Sequence, residues 1–530
     1  MIFDTIISGG TLVDGLGGKP FAGDIAILDG KIKAVGWLPG AQARTRIDAA
    51  GRYVTPGFWD IHRHADAAVF RPSFGRLELA QGLTTIINGN CGLPVAPAPE
   101  ARRQEIYDYL APVTGQMDAA VDTSTMQGYL DAAAQTALPL NVAMLAGLGT
   151  IRACVAGYGT DRLSAEQVRQ IQAQLEASLA GGAVGLSLGL GYAPECFYTT
   201  DGLIEALAPL RESGTVITVH MRQEGAGVVT ALAEMIDVAR ALRTPVHISH
   251  LKGMGRENWR TAVPQMLQMM AQAREDGIDL SCDLYPYEAG STQLIHVLPP
   301  ECQRGGLDAL SENLRKPAFR AQLRERMETG ADFENIVRLV GWENVRVTTL
   351  ASGAHPDYIG KSIAELAAQA GCDAYEFAFD LLADEHCLVT MIDFIANEDD
   401  ICDILRDPFS GVISDSTYPT GGRLHPRVYG TYARLLERYV REKQVLTLPQ
   451  AVRKVTSQAA DLFGFVRKGR LIPGCDADIC VFDLARVHEA GSYLDPEQLA
   501  QGMDEVIVGG VRAIRAGQFT GETGGKVLRK

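Results

Sequence analysis

Between residues 56 and 462 the sequence alternates short apolar, β-rich runs with amphipathic helical stretches, and no other feature constrains the fold as much. Eight runs have the length and composition of buried strands: 57–62, 84–88, 141–146, 185–187, 216–220, 246–250, 279–284 and 411–415. Helical periodicity fills most of the gaps, over 164–180 and 228–242 for example. Strand–helix–strand repetition calls for a parallel sheet, because parallel neighbours need a crossover between them. Eight such units fit an α/β fold of the (β/α)8 TIM-like barrel type with insertions. A doubly wound open sheet is the alternative, but no dinucleotide fingerprint or phosphate loop supports it.

The two ends read differently. Residues 4–8, 24–28 and 31–35 are strand-like, with turns at Gly9-Gly10 and Asp29-Gly30. The tail repeats this pattern at 477–482, 505–508 and 511–515, with a Gly509-Gly510 turn. The expectation is a small β-sandwich domain built from 1–55 plus 465–530, flanking a catalytic barrel over 56–464. A charged, helix-prone insertion at about 298–349 follows a strand end, which would set it as a lid over the barrel mouth.

Composition narrows the class. Of 530 residues, 46% are hydrophobic and 21% charged, as in an ordinary globular protein rather than a disordered chain or coiled coil. Acidic residues outnumber basic ones 64 to 49, so the net charge is −15. That disfavours nucleic acid and anionic membranes as partners, but a locally positive pocket still admits an anionic small molecule. The first residues lack a basic, apolar leader, and no run approaches a membrane span. Ten cysteines without CxxC pairs suit reduced thiols and a cytoplasmic location. Oligomeric state is not legible.

Several chemically capable residues fall at the predicted strand ends. In Asp60-Ile-His62-Arg-His64 the alternation of side chains sets both imidazoles on one side, where they can chelate a metal. Alone, the spacing also suits packing or surface histidines. Cys91 lies in Asn88-Gly-Asn-Cys91-Gly92, whose glycines permit a tight turn that aims the thiol inward; most such thiols are merely buried. His220 and His250 each close a β-rich run, and Asp415 follows Val412-Ile-Ser, where a turn or helix cap is the plainer use. His247 faces the opposite side from His250 and reads as packing against a helix. Six such residues at one end of a barrel point to a metal site.

Together these motifs resemble the amidohydrolase superfamily, and within it the D-aminoacylases, over nearly the whole chain. Thr55-Pro-Gly-Phe-Trp-Asp-Ile-His-Arg-His64 resembles the first-strand motif, and Pro473-Gly-Cys-Asp-Ala-Asp478 the entry to the C-terminal β-domain. Gly89-Asn-Cys91-Gly92, the 185–192 run ending in Tyr192, Asp283-Leu-Tyr-Pro-Tyr287, Ala289-Gly-Ser-Thr292 and His425-Pro-Arg427 resemble the subgroup. The resemblance implies Zn2+ held tightly by Cys91, His220 and His250. A second, weaker divalent site would use His62, His64 and the same cysteine as bridge, with Asp415 from the last strand. Leu188 and Ser416 depart from the family's usual threonine and glycine, which touches the pocket wall.

The implied activity is zinc-dependent deacylation of N-acyl-D-amino acids, with Asp415 as the general base that later protonates the leaving amine. Lys252, Tyr285 and Arg427 are candidates to grip the substrate carboxylate; Tyr192 and Ser291, from the subgroup motifs, are further candidate contacts. No arginine occurs in the loop 289–296, so neutral or apolar side chains are expected, although His296 is a candidate cation. A hydantoinase-like cyclic amide hydrolase is the alternative, and a non-catalytic scaffold a remote one.

Overall fold

The computed structural model describes residues 2–530. Its parallel strands form two hydrogen-bonded groups. Phe58–Asp60, Leu83–Asn88 and Asn141–Met144 make one. Ala146–Gly147, Leu186–Gly189, Ile217–His220, Val246–Ile248, Leu280–Leu284 and Ser410–Val412 make the other. Only Leu145 separates the groups along the chain. At the far side, Arg63 and Ser416 form a parallel bridge, so the first and last strands are also neighbours. Asp415 N donates to His62 O at 3.0 Å and His64 N to Ser416 O at 2.9 Å.

Helices separate the strands as the periodicity requires. Ala165–Ala180 starts at Ser164, whose hydroxyl accepts from Gln167 N in a capping box. Val228–Leu242 turns an apolar stripe inward, including Leu232, Met235 and Leu242. Trp59, Ile87, Ala143, Val184, Val216 and Ile413 are buried in one shared cluster, so residues from or beside most of the strands fill the same interior.

Both chain ends enter a single nine-stranded sheet. Ile2–Leu12 is its branch point, pairing antiparallel with Phe21–Leu28 and parallel with both Gln42–Asp48 and Tyr53–Pro56. The tail joins through Ile479–Phe482, antiparallel to Tyr53–Pro56. Asp29 (φ 51°) and Gly30 (φ 68°) both adopt the left-handed turn that a tight hairpin needs. Asp478 fastens this sheet to the parallel strands. Its carboxylate takes Lys468 Nζ at 2.7 Å, Gly509 N at 2.7 Å and Asn141 Nδ2 at 3.1 Å.

The insertion is wider than the expected 298–349. Ala289–Gln293, Val345–Leu350 and Val389–Phe394 form their own antiparallel sheet, with Val389–Phe394 in the middle. Helices such as Gly306–Leu314, Pro317–Thr329 and Ala374–Asp384 pack on it around a separate apolar core. Among the described residues no helix is long and apolar enough to cross a membrane.

A buried ionic network ties the first strand to the last. Arg63 is fully buried and reaches Asp60 Oδ2 at 3.0 Å, Glu78 Oε1 at 2.9 Å and Tyr418 Oη. Ser414 N donates to Asp60 Oδ1 at 3.1 Å. Removing the cation leaves two carboxylates uncompensated in a dry interior. Arg63→Met is therefore expected to cost about 3–5 kcal/mol of unfolding free energy in urea titration. A loss below about 1 kcal/mol would show that the network is incidental.

Candidate metal centre and active site

The strands stop where the chemistry begins. The expected runs 57–62, 246–250 and 411–415 end as strands at Asp60, Ile248 and Val412, and the chain then leaves extended geometry. Cys91 (φ 54°), His250 (φ 39°) and Asp415 (φ 50°) all lie in the left-handed region, which disfavours residues other than glycine. Strain of this kind persists where the surroundings over-determine it, and it gathers at functional sites. Around Cys91 the turn depends on its glycines. A Cβ on Gly89 (φ 78°) would lie 2.6 Å from Leu145 O, and one on Gly92 (φ 70°) would overlap Glu195 Oε2.

Two donor sets meet at Cys91: His62, His64, Cys91 and Asp415 in one, Cys91, His220 and His250 in the other, with the ligand atoms of each set within 4.8 Å of one another. Cys91 Sγ lies 3.2 Å from His62 Nε2 and 3.7 Å from His250 Nε2. His220 Nδ1 lies 3.1 Å from His250 Nε2. Asp415 Oδ1 is 3.4 Å from the Nε2 atoms of both His62 and His64. Burial pushes the imidazoles of His64 down to about 4 and of His220 to about 3, so both are neutral lone-pair donors at neutral pH. Neutral imidazoles converging on a shared sulfur are the donor chemistry of a divalent metal such as zinc, so the residues fit such an ion.

Neighbours set these donors in place. Glu224 Oε1 lies 2.8 Å from His250 Nδ1 and its Oε2 lies 2.7 Å from Lys252 Nζ. This carboxylate orients the ring and fixes its tautomer. Sequence reasoning missed it, since it sits in an irregular loop four residues past His220. Asp283 accepts from His250 N and lies 2.8 Å from His247 Nε2. His247 does not pack against a helix as expected: it pairs in register with Thr218, on the face that His220 shares, and is held there by Asp283 and by Ser281 Oγ at 2.7 Å. Burial would raise the Asp415 carboxyl, but Arg427, His62 and His64 outweigh it and hold the group well below the usual carboxylate range.

A cavity of about 250 Å³ opens beside the donors. Tyr192, Lys252, Tyr285, Ser291 and Asp415 line it, and so do residues of the insertion from Leu298 to Ile395. Tyr192 Oη lies 3.3 Å from His220 Nδ1. Burial opposes the Lys252 charge, but Glu224 more than offsets this and raises the amine above its ordinary range.

Arg427 lies behind the cavity wall, against three residues that line it. It is 0% exposed and off the cavity wall, with Nη1 3.0 Å from Asp415 Oδ2 and Nη2 donating to Ser291 O at 3.1 Å. Its guanidinium stacks on Tyr285, 4.7 Å from the ring centroid. His296 is not a cation, because burial lowers it to about 3, and its ring lies against Tyr192. Leu188 and Ser416 are buried but do not line the cavity; the Ser416 hydroxyl donates to Ser414 Oγ at 2.7 Å.

Paired metal donors and a carboxylate at the ends of parallel strands define a metal-dependent hydrolase of the strand-end type. The family model described as the amidohydrolase family matches residues 45–514, and the chain belongs to that family. The D-aminoacylase of Alcaligenes xylosoxydans xylosoxydans is 32% identical over 529 residues, covering 100% of this chain and 98% of its own. The N-acyl-D-glutamate deacylase of the same organism is 32% identical over 510 residues, 96% of this chain and 93% of its own. The crystal structure of N-acyl-D-glutamate deacylase from Bordetella bronchiseptica, complexed with zinc and a phosphonate inhibitor that mimics the tetrahedral intermediate, superposes with TM-score 0.83 at 30% identity, covering 100% of both chains.

Proposed function

We propose that the chain is a zinc-dependent deacylase that hydrolyses the linear amide of N-acyl-D-amino acids, releasing a carboxylate and a free D-amino acid. The observation that carries this is the junction at Cys91, with the Asp415 carboxylate on the wall of a cavity that also presents an amine, a phenol and a hydroxyl. The names of the similar deacylases support the substrate class. In this reading the parallel strands close as a (β/α)8 barrel spanning 56–464, and the segments 1–55 and 465–530 pack together as a small β-sandwich domain. Cys91, His220 and His250 would hold the tighter ion, and His62 and His64, with the same cysteine, would hold a weaker one. Ten unpaired thiols suit a cytoplasmic setting.

An ion held there supplies Lewis acidity toward the scissile carbonyl and toward water. Asp415, ionised at neutral pH, accepts the proton that water loses on attack and delivers it to the leaving nitrogen. Arg427 is a positioning residue, since its charge pairs with Asp415 Oδ2 and leaves Oδ1 toward His62 and His64. Lys252, Tyr285 and Ser291 receive the α-carboxylate of the substrate, and Tyr192 borders the same space. The insertion roofs the cavity as a lid and keeps bulk water from it.

The test is release of amine from paired D and L N-acetyl amino acids by zinc-loaded protein. Release from the D members alone is the expected result. Release from the L members at equal rates removes the stereochemical part of the reading, and release from neither removes the deacylase.

A further inference from the structure

We propose that the cavity selects N-acyl-D-amino acids whose side chain ends in a cation, as in lysine or arginine, and that Asp393 receives that cation; this rests on the deacylase reading above. The argument is one of charges already committed. Every cation on the cavity wall has a carboxylate of the protein beside it. Arg222 holds Glu234 at 2.9 Å, Lys252 holds Glu224 at 2.7 Å, and Arg326 holds Glu301 at 2.8 Å and Asp332 at 2.7 Å. Arg304, at the exposed rim, faces Asp161 at 3.7 Å. Lys252 is the cation assigned to the α-carboxylate of the substrate, and each of the others is already paired, so none is left over for an acidic side chain.

The carboxylates are not balanced in the same way. Glu334 spends one oxygen on the backbone N–H groups of Glu224 and Gly225. Asp393 is 2% exposed and lines the cavity, yet among the described residues its carboxylate has no ion pair within 4.0 Å and no hydrogen bond beyond its own backbone N–H. A buried carboxylate without a counter-charge is costly, so a chain keeps one where a ligand completes it. Burial raises its carboxyl to about 6, even with Lys252 and Arg427 near enough to lower it.

The backbone leaves room for this group. Asp393 sits in the middle strand of the insertion sheet, directly opposite Gly290. A Cβ at Gly290 would lie 2.8 Å from Asp393 Oδ1, so only glycine leaves the carboxylate in place. Met254, Phe333, Ile336 and Ile395 supply an apolar wall to the same cavity. A methylene stem packs on such a wall while its charged head reaches a carboxylate. The apolar wall takes the stem; the group that receives the charged terminus comes from a strand about a hundred residues past the loop 289–296. An acidic side chain would meet the carboxylates of Asp393 and Glu334, which disfavours it by repulsion.

The experiment compares kcat/KM of the zinc-loaded enzyme for N-acetyl-D-lysine, N-acetyl-D-arginine, N-acetyl-D-norleucine and N-acetyl-D-glutamate. Lysine or arginine is expected to exceed norleucine, which has a similar stem and no charge, by about tenfold or more, and glutamate to be the poorest. In Asp393→Asn the lysine-to-norleucine ratio is expected to fall by about tenfold or more, mainly through KM. Norleucine turned over as well as lysine, or a ratio unmoved by Asp393→Asn, overturns this proposal and leaves the deacylase standing. No turnover of any of the four, nor of the wider D panel, overturns both. The wild-type comparison decides even where the variant fails to fold.

Discussion

Replacing Asp415 by asparagine is expected to lower kcat by about 10²- to 10⁴-fold, or about 3 to 5 kcal/mol of barrier, with KM little changed. Asparagine is the informative substitution. It is isosteric, and it tolerates the left-handed backbone that Asp415 adopts at φ 50°. What it removes is the proton acceptor. Arg427 Nη1 lies 3.0 Å from this carboxylate in a fully buried place, so the variant also leaves a guanidinium without its counter-charge. A drop in Tm is therefore expected beside the loss of rate. Two readouts separate the effects: circular dichroism at the assay temperature reports folding, and zinc per chain reports the donor set of Cys91, His220 and His250, which does not include Asp415. Folded, zinc-loaded protein with near-wild-type kcat would mean that another group moves the proton.

The sequence shows the Asp415 position for a physical reason that also marks its limits. A buried strand is a short β-rich run, and a functional residue just past its end is visible as a change of type: Val-Ile-Thr-Val-His220 or Val-Ile-Ser-Asp415. Local pattern suffices there, so His62, His64, Cys91, His220, His250 and Asp415 could be gathered before any coordinates. Residues whose place depends on distant chain segments are not legible in that way. Glu224 reaches His250 from a loop without periodicity. Arg427 stands at the start of helix Arg427–Arg434, and packing over Tyr285 turns it to Asp415 instead of the cavity. Asp393 reads as one polar residue in an apolar run; only pairing with Ala289–Gln293 brings it over the cavity. The same non-local pairing explains why the insertion extends past 349. Alternation along 246–250 misjudged the direction of His247, because the strand ends at Ile248 and His250 has left extended geometry; paired with Thr218, His247 faces the interior, where Asp283 and Ser281 hold it.

Cys91→Ala is expected to abolish stoichiometric zinc binding, and activity with it, because this sulfur belongs to both donor sets at once. No other residue is shared in that way, so no other single substitution reaches both. The fold should survive the change. The lost atom is one sulfur in a site that is 4% exposed, and removing so small a buried group costs on the order of 1–2 kcal/mol. His220 and His250 remain as a two-nitrogen set, and a tetrahedral site that loses its only thiolate keeps much weaker ligation. The measurement is zinc per chain after dialysis against a mild chelator, read by atomic absorption, beside a urea unfolding curve. Wild-type protein should retain zinc and the variant should lose it, with unfolding midpoints compared in the metal-free state so that ligation itself does not enter the difference. If the variant keeps one zinc per chain, the tight site lies among His62, His64 and Asp415 instead, and the roles of the two donor sets exchange. Cys91→Ser adds a finer test. Oxygen replaces sulfur at the same backbone, φ 54° included, so partial retention there with loss in Cys91→Ala would assign the affinity to the donor atom rather than to the turn that carries it.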